Sequence, residues 1–255
     1  MRIACNLLKK QTLDTILKRM RECIIITAYI EGSIRDILEK DGSAVKRARD
    51  RADNRIANAF VICADAGYDK ARQESIRPDI LMGDFDSLET ELPGDIKTFT
   101  FPARKDYTDT GLALKYALDN GYKNVTIVGG IGGRLDHTIA NIQDIAGFYK
   151  KGLNITIMDL RNALTVLGPG EYSLQNRTQK YVKSESDNSG RAFQGDEYFS
   201  VFAYTEKAVV SIRGAAYPLD HHTIINTYPL GVSNKAEGST ILTVHDGIIL
   251  LLRCR

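Results

Sequence analysis

In the run MGDFDSLET, residues 82–90, two aspartates stand one residue apart behind a glycine, directly after the apolar Ile80, Leu81 and Met82. Acids recur in the same kind of place: Asp65 follows VICA, Asp106 and Asp109 follow FTFPARK, and Asp136 lies just past VTIVGGIGGR. Carboxylates a few ångströms apart resist joint ionisation unless a cation lies between them. Oxygen ligands without histidine or cysteine suit magnesium, which keeps waters and binds through one or two carboxylates plus substrate phosphates. Residues i and i+2 of an extended chain face one side, so Asp84 and Asp86 are expected to reach one metal or two neighbouring ones. Gly83 then lets the backbone come close, and Phe85 points into the protein. The plainer alternative for an isolated pair is a turn whose aspartates bond locally; the recurrence of acids on four strand ends favours the metal.

VGGIGGRLDH, residues 128–137, places four glycines in five positions between a strand and a helix start. Such a loop, with Gly130, Gly132 and Gly133, bares backbone N–H groups to an anion, and Arg134 adds a fork of donors for phosphate oxygens. It is neither a Walker A loop nor GxGxxG, and the alternative is that the glycines serve a tight turn alone. Helical spacing puts Leu135, Ile139, Ile142, Ala146 and Tyr149 on the buried stripe, which leaves Asp136 and His137 off it. In RKDYTDTGLAL, Thr108, Asp109 or Thr110 caps the following helix. Asp106 precedes the cap, and Arg104 and Lys105 either touch a polyphosphate or form a solvated pair with the acids. His221 and His222 are expected in a surface loop and His245 in a hairpin turn. No Ser-His-Asp or Cys-His arrangement is evident.

The elements that must position these residues alternate up to about residue 160. CIIITAYI, NAFVICADAG, PDILMGD, IKTFTF, NVTIVGG and NITIMD read as strands; SIRDILEKDG, KARQES, TDTGLALKYALDNG and RLDHTIANIQDIAGFYK read as helices. Apolar strands separated by helices imply a doubly wound, mostly parallel sheet covered on both faces, with ligands beyond the carboxyl ends of the strands. After about residue 163 the helical period stops. ALTVLG, EYSL, EYFSVFAY, AVVSIRG and STILTVHDGIILLL are short strands between turn residues, the pattern of an antiparallel sandwich. The expected organisation is an α/β domain over 20–162 and an all-β domain over 163–255, with KSESDNSGRAFQGD as a mobile loop. Residues 1–19 read as an extension ahead of Met20.

Thirty-four basic residues against 32 acidic ones give a net charge of +2, too little to draw the chain generally to nucleic acid or membranes. The basic run at 46–55 is interrupted by Asp50 and Asp53 and is expected to be a solvated helix face. Cys5, Cys23, Cys63 and Cys254 are scattered without metal spacing, which suits free thiols in a reducing compartment. With no membrane-length apolar run, the chain is expected to be cytoplasmic.

Together ADAG at Asp65, GDFDS at 83–87, KDYTDT at 105–110, GGIGGRLDHTIANI at 129–142, YPLDHHT in the second domain and GVSNKAEG at 231–238 resemble the thiamine pyrophosphokinase family, bacterial type, from about residue 24 onward. The resemblance implies transfer of a pyrophosphoryl group from ATP to the hydroxyl of thiamine with Mg²⁺, in a homodimer whose α/β domain holds the nucleotide and whose sandwich helps to hold thiamine. It assigns Asp84, Asp86 and Asp109 to the metal, and Asp65, Lys105, Asp106, the glycine loop, Arg134 and His137 to the nucleotide. Ser233 and Asn234 go to the thiamine pocket, and Asp109 or Asp136 to orienting or deprotonating the alcohol. Three departures stand out. Gly111 occupies a place where many members carry glutamate, Ala66 replaces the first glycine of ADGG, and the chain has no tryptophan where some members stack thiamine, leaving that role to a tyrosine or an aliphatic residue. The rival enzyme is a metal-dependent phosphohydrolase of haloacid dehalogenase type, from the DxD after a strand; the rival non-enzyme is a nucleotide- or thiamine-binding regulator.

Overall fold

The computed structural model describes residues 22–39, 45–102, 104, 106–175 and 198–254, with the side chains of 45–51 and 175 outside that description. The readings for residues 1–19 and for the KSESDNSGRAFQGD loop lie outside the described residues. Two compact units emerge, Met1–Ile34 with Asp53–Ile155, and Arg35–Ala52 with Thr156–Arg255.

The first unit is built on β1 (Glu22–Ile26), β2 (Phe60–Ala64), β3 (Ile80–Gly83), β4 (Lys97–Thr100), β5 (Asn124–Val128) and the start of β6 (Asn154–Met158), in the order β4-β3-β2-β1-β5-β6. β1 pairs in parallel with both β2 and β5, and β2, β3 and β4 continue in parallel. Ile24, Ile25, Ile62, Leu81 and Ile127 are fully buried, as expected for strands covered on both faces. β4 is the exception; its residues are half-buried to exposed, as befits an edge. The helices are α1 (Ile34–Leu38), α2 (Val45–Asn58), α3 (Gly67–Gln73), α4 (Asp109–Asp119) and α5 (Leu135–Lys150), of which most of α1 and the first part of α2 belong to the second unit. α4 lays Ala113, Leu114 and Ala117 on β1, β2 and β3 and also packs on α5. Strand order reverses between β1 and β5, so the carboxyl ends of the parallel strands form the rim where such sheets gather ligands.

Two expectations for this unit are corrected. The core stripe of α5 is Asn141, Ile145, Ala146 and Phe148, whereas Leu135 is 70% and Ile139 50% exposed. The helix is turned so that Asn141 faces inward and its amide donates to the Gly130 carbonyl at 2.8 Å, a polar anchor that apolar periodicity does not register. Arg55 also leaves the solvated face assigned to the basic run. It turns in to Glu22, with Nη2 2.7 Å from Oε1, and it donates to Thr126, which donates to Glu22.

The second unit is antiparallel throughout, with β7 (Asn162–Leu167), β8 (Gly170–Gln175), β9 (Tyr198–Ala203), β10 (Lys207–Ala215), β11 (Leu219–Ile225), β12 (Gly231–Asp246) and β13 (Ile249–Cys254). β12 has 16 residues and serves two sheets. Its early part pairs with β9, which continues to β13 and β7, and its later part lies between β10 and β8. Register shifts between Gly231 and Asn234, and a left-handed Gly238 at φ 71°, let one strand bend from one sheet into the other. Phe199, Val201 and Leu251 from one sheet and Tyr172, Val210 and Leu242 from the other share a core, the sandwich expected from the short-strand pattern.

The histidines are corrected. His221 and His222 lie on β11, a strand the short-strand reading passed over, and His245 lies within β12 rather than in a turn. The His221 and His245 rings stack at 4.0 Å, and Ser211 bonds His245 at 2.8 Å. The LDHHT run masks the strand because residues 220–223 are exposed and of β11 only Ile224 is fully buried, with Leu219 half-buried against the core. Among the described residues, no helix is long and apolar enough to cross a membrane.

Ile62 is fully buried at the centre of the parallel sheet. Ile62→Ala is expected to lower stability by about 2–5 kcal/mol, read as a fall in the urea midpoint at unchanged slope.

Candidate active site

β2 and β3 run side by side, with Ala64 opposite Met82. Asp65 extends that ladder one step, its N–H donating to the Met82 carbonyl at 2.8 Å. The chain then turns sharply, because Asp65 takes a left-handed φ of 51°. Gly83 makes room for this, since a Cβ there would lie 3.0 Å from the Asp65 Cα and 3.2 Å from its Cβ. Two residues on, Phe85 is left-handed at φ 61°. Non-glycine residues in this region cost about 1–3 kcal/mol each, and here two of them frame one cluster. The carboxylates of Asp65, Asp84 and Asp86 each offer an oxygen within 4.8 Å of the others.

The means by which Asp84 and Asp86 meet is therefore corrected. They do not share a face of extended chain; the turn at Phe85 folds them together, and Phe85 is only half-buried. The Asp86 N–H approaches Asp84 Oδ1 at 3.4 Å, the local bond of the turn alternative. Ser87 donates to Asp65 Oδ2 at 2.6 Å. Asp69 of α3 accepts from the Glu89 N–H at 3.0 Å and from the Thr90 hydroxyl, tying down the loop beyond. Asp65 Oδ1 is buried and has no hydrogen-bond partner. A buried carboxylate oxygen without a donor is costly. With two more carboxylates beside it, this set fits a hard divalent cation such as magnesium. Asp65, which the resemblance assigns to the nucleotide, is thus inside the trio, and Asp109 is outside it.

Asp109 heads α4, but the cap is Thr108, whose Oγ1 accepts from the Gly111 N–H at 2.9 Å. Asp106 is exposed just upstream, and Lys105 lies outside the described residues. In the glycine loop Gly129, Gly130, Gly132 and Gly133 all have φ between 59° and 90°. A Cβ at Gly133 would meet the Tyr29 ring at 2.7 Å, so the loop needs glycine for close approach as well as for turning. Its amides are not all bare: the Gly130 N–H donates to the Tyr29 carbonyl and the Gly132 N–H to Thr138. Arg134 Nη2 pairs with Asp136 Oδ2 at 2.7 Å, and the His137 N–H donates to Asp136 Oδ1 at 3.0 Å. Arg134, Asp136 and His137 are all exposed. The hydrogen bond from Arg134 holds the Asp136 carboxyl below the usual carboxylate range, and the pairing raises Arg134.

In the second unit Ser233 is left-handed at φ 58° and its N–H donates to Ser200. Asn234 is 4% exposed. Its Oδ1 accepts from the Tyr217 and Lys235 N–H groups and its Nδ2 donates to the Tyr217 carbonyl at 2.7 Å. The Asn234 amide is therefore spent on the backbone of Tyr217, whose ring is 68% exposed. Ser87, which bonds Asp65, and Tyr217, whose backbone bonds Asn234, are given no part in the sequence reading. Ser87 stands in the GDFDS motif itself, and Tyr217 opens YPLDHHT, so both were in view as motif members without a role.

Fold and site define an α/β unit with a carboxylate cluster at the ends of adjacent parallel strands, followed by an antiparallel unit. Residues 53–157 match the family model described as thiamin pyrophosphokinase, catalytic domain. A thiamine pyrophosphokinase of Bacillus subtilis is 29% identical over 199 residues, spanning 75% of this chain and 86% of that one. The crystal structure of thiamine pyrophosphokinase from Bacillus subtilis superposes with a TM-score of 0.68 at 24% identity, covering 92% of this chain and 99% of that one. Thiamin pyrophosphokinase from Candida albicans gives 0.64 at 14% identity, over 95% and 92% of the two chains. The chain is similar to thiamine pyrophosphokinases in sequence and in fold, and residues 53–157 are the part that matches the catalytic-domain model.

Replacing Arg134 by alanine removes the first cause of the low Asp136 carboxyl. The Asp136 side-chain carbon in an NMR titration is then expected to titrate at higher pH; an unmoved midpoint shows the pair is not formed in solution.

Proposed function

We propose that this chain transfers the pyrophosphoryl group of ATP to the hydroxyl of thiamine, giving thiamine diphosphate and AMP, and that it requires Mg²⁺. The observation that carries the reading is the trio Asp65, Asp84 and Asp86, crowded within 4.8 Å with Asp65 Oδ1 buried and partnerless, inside the stretch that matches the catalytic domain. Magnesium held by these three residues would offset the charge of the triphosphate. Asp65, fixed by the Met82 carbonyl and Ser87, holds its oxygens at a set place, while Asp84 and Asp86 ride on the turn at Phe85. A bound polyphosphate then needs its alcohol partner in line with the β-phosphorus. The oxygen–phosphorus bond to thiamine forms as the bond to the AMP oxygen breaks, and the hydroxyl proton passes to a carboxylate. Asp109 at the head of α4 and Asp136 beside Arg134 are the two candidates for that carboxylate.

Asp106, Lys105, Arg134 and His137 are proposed on the nucleotide side. With the Gly130 and Gly132 amides bonded within the chain, the side-chain donors carry more of the phosphate contact than a bare-amide cradle would. The domains proposed are 20–162 for the nucleotide and 163–255 for thiamine. On the thiamine side Ser233 and Asn234 act with Tyr217, whose exposed ring offers the flat apolar face that a tryptophan provides elsewhere. A homodimer in the cytoplasm is the proposed assembly and location, and a monomer mass in equilibrium sedimentation would remove the dimer.

Purified protein with ATP, Mg²⁺ and thiamine is expected to yield AMP and thiamine diphosphate in equal amounts. ADP formation, phosphate release without thiamine, or binding without turnover each overturns the reading. Asp84→Asn and Asp86→Asn are expected to lower kcat at least about 100-fold, a loss of about 2.7 kcal/mol of transition-state stabilisation, with the circular dichroism spectrum retained. An active variant with unchanged Mg²⁺ dependence refutes the metal assignment.

A further inference from the structure

Gly111 lies in the first turn of α4 with little space for a side chain. An added Cβ would stand 3.0 Å from Asp144 Oδ2, 3.2 Å from Thr108 Oγ1 and 3.3 Å from Tyr107 Cδ1. Its backbone is ordinary helix, so crowding rather than conformational freedom is what glycine relieves here. The group filling the space is Asp144, a half-buried carboxylate in the middle of α5. Its Oδ2 accepts from Thr108 Oγ1 at 2.9 Å, and that same Oγ1 accepts from the Gly111 N–H at 2.9 Å. A hydroxyl has a single proton. With the amide already pointed at the oxygen's lone pair, the proton goes to Asp144, so amide, hydroxyl and carboxylate form one directed chain. Burial pushes the Asp144 carboxyl up and the Thr108 bond pulls it down; the capping geometry stands without either effect.

We propose that Asp144 is a positioning residue for the site. From α5 it places a carboxylate over the position left bare at Gly111, where the family resemblance expects glutamate on α4, and through Thr108 it fixes the α4 terminus that carries Asp109. α5 also begins at Arg134 and Asp136, and it packs on α4. One bond therefore links two segments that bear candidate residues. The inference rests on the functional reading above for its kinetic arm, and on geometry alone for its stability arm.

The test compares Asp144→Ala, Asp144→Asn, Thr108→Val and the Thr108→Val/Asp144→Ala double variant by steady-state kinetics with ATP, Mg²⁺ and thiamine. It adds melting temperatures for Gly111→Ala in the natural and Asp144→Ala backgrounds. Asp144→Ala is expected to lower kcat about tenfold or more while KM for thiamine stays within about twofold, the signature of lost alignment rather than lost binding. Asp144→Asn keeps an acceptor oxygen and is expected to stay within about threefold of the natural protein. The double variant should be no worse than the weaker single one, since both cut the same bond. Gly111→Ala is expected to lower the melting temperature more when Asp144 is present than in Asp144→Ala, where the shortest of the three contacts is gone. Unchanged kcat in Asp144→Ala, an Asn variant as impaired as the Ala variant, or fully additive losses overturns the positioning role. An equal Gly111→Ala shift in both backgrounds overturns the shared space. If the natural protein makes no thiamine diphosphate, the functional reading fails by itself, and the melting temperatures still decide the Gly111–Asp144 contact.

Discussion

Mutual repulsion among Asp65, Asp84 and Asp86 is the constraint around which the α/β unit is organised. Three like charges within 4.8 Å would drift apart on a pliant chain, and the structure denies them that freedom. Asp65 is pinned by the sheet ladder through Met82 and by the Ser87 hydroxyl. The loop bearing the other two is anchored beyond Thr90 on Asp69. Carboxylates held in this way would not have to be collected if a cation arrived, which is the advantage of preorganisation.

That crowding is possible because two adjacent parallel strands end at the same level. The ladder from Ile62–Ile80 to Ala64–Met82 fixes the register, and Gly83 removes the one Cβ that would have held the chains apart. The backbone strain at Asp65 and Phe85 is carried by a sheet whose isoleucines and leucines are almost wholly buried. A weakly packed support would let those residues relax out of the left-handed region, and the cluster would loosen with them.

Much of this was legible beforehand, for identifiable reasons. Buried parallel strands write themselves as continuous apolar runs, so VICA and ILM announced both their identity and the end at which Asp65 and Asp84 emerge. Thr108, one of three residues offered as the cap, proved to be it. What escaped was what depends on single polar atoms or on backbone hand. The inward turn of Asn141 rotated the face of α5 away from the apolar count, leaving Leu135 and Ile139 outside. The left-handed Phe85 replaced the strand alternation assumed for the DxD. β11 was hidden because an exposed strand pairs through its backbone, to which the polarity of LDHHT is indifferent.

The side-chain amide of Asn234 satisfies both main-chain groups of Tyr217 and leaves the phenol ring outside. The support and what it supports are chemically separate: one residue sets the path of the chain, and any flat side chain can be mounted at the other without disturbing it. Such a socket lets a lineage trade one ring system for another while the sandwich beneath keeps its stability. A protein with no tryptophan need not have reinvented its fold to do without one; it has only to change the fitting.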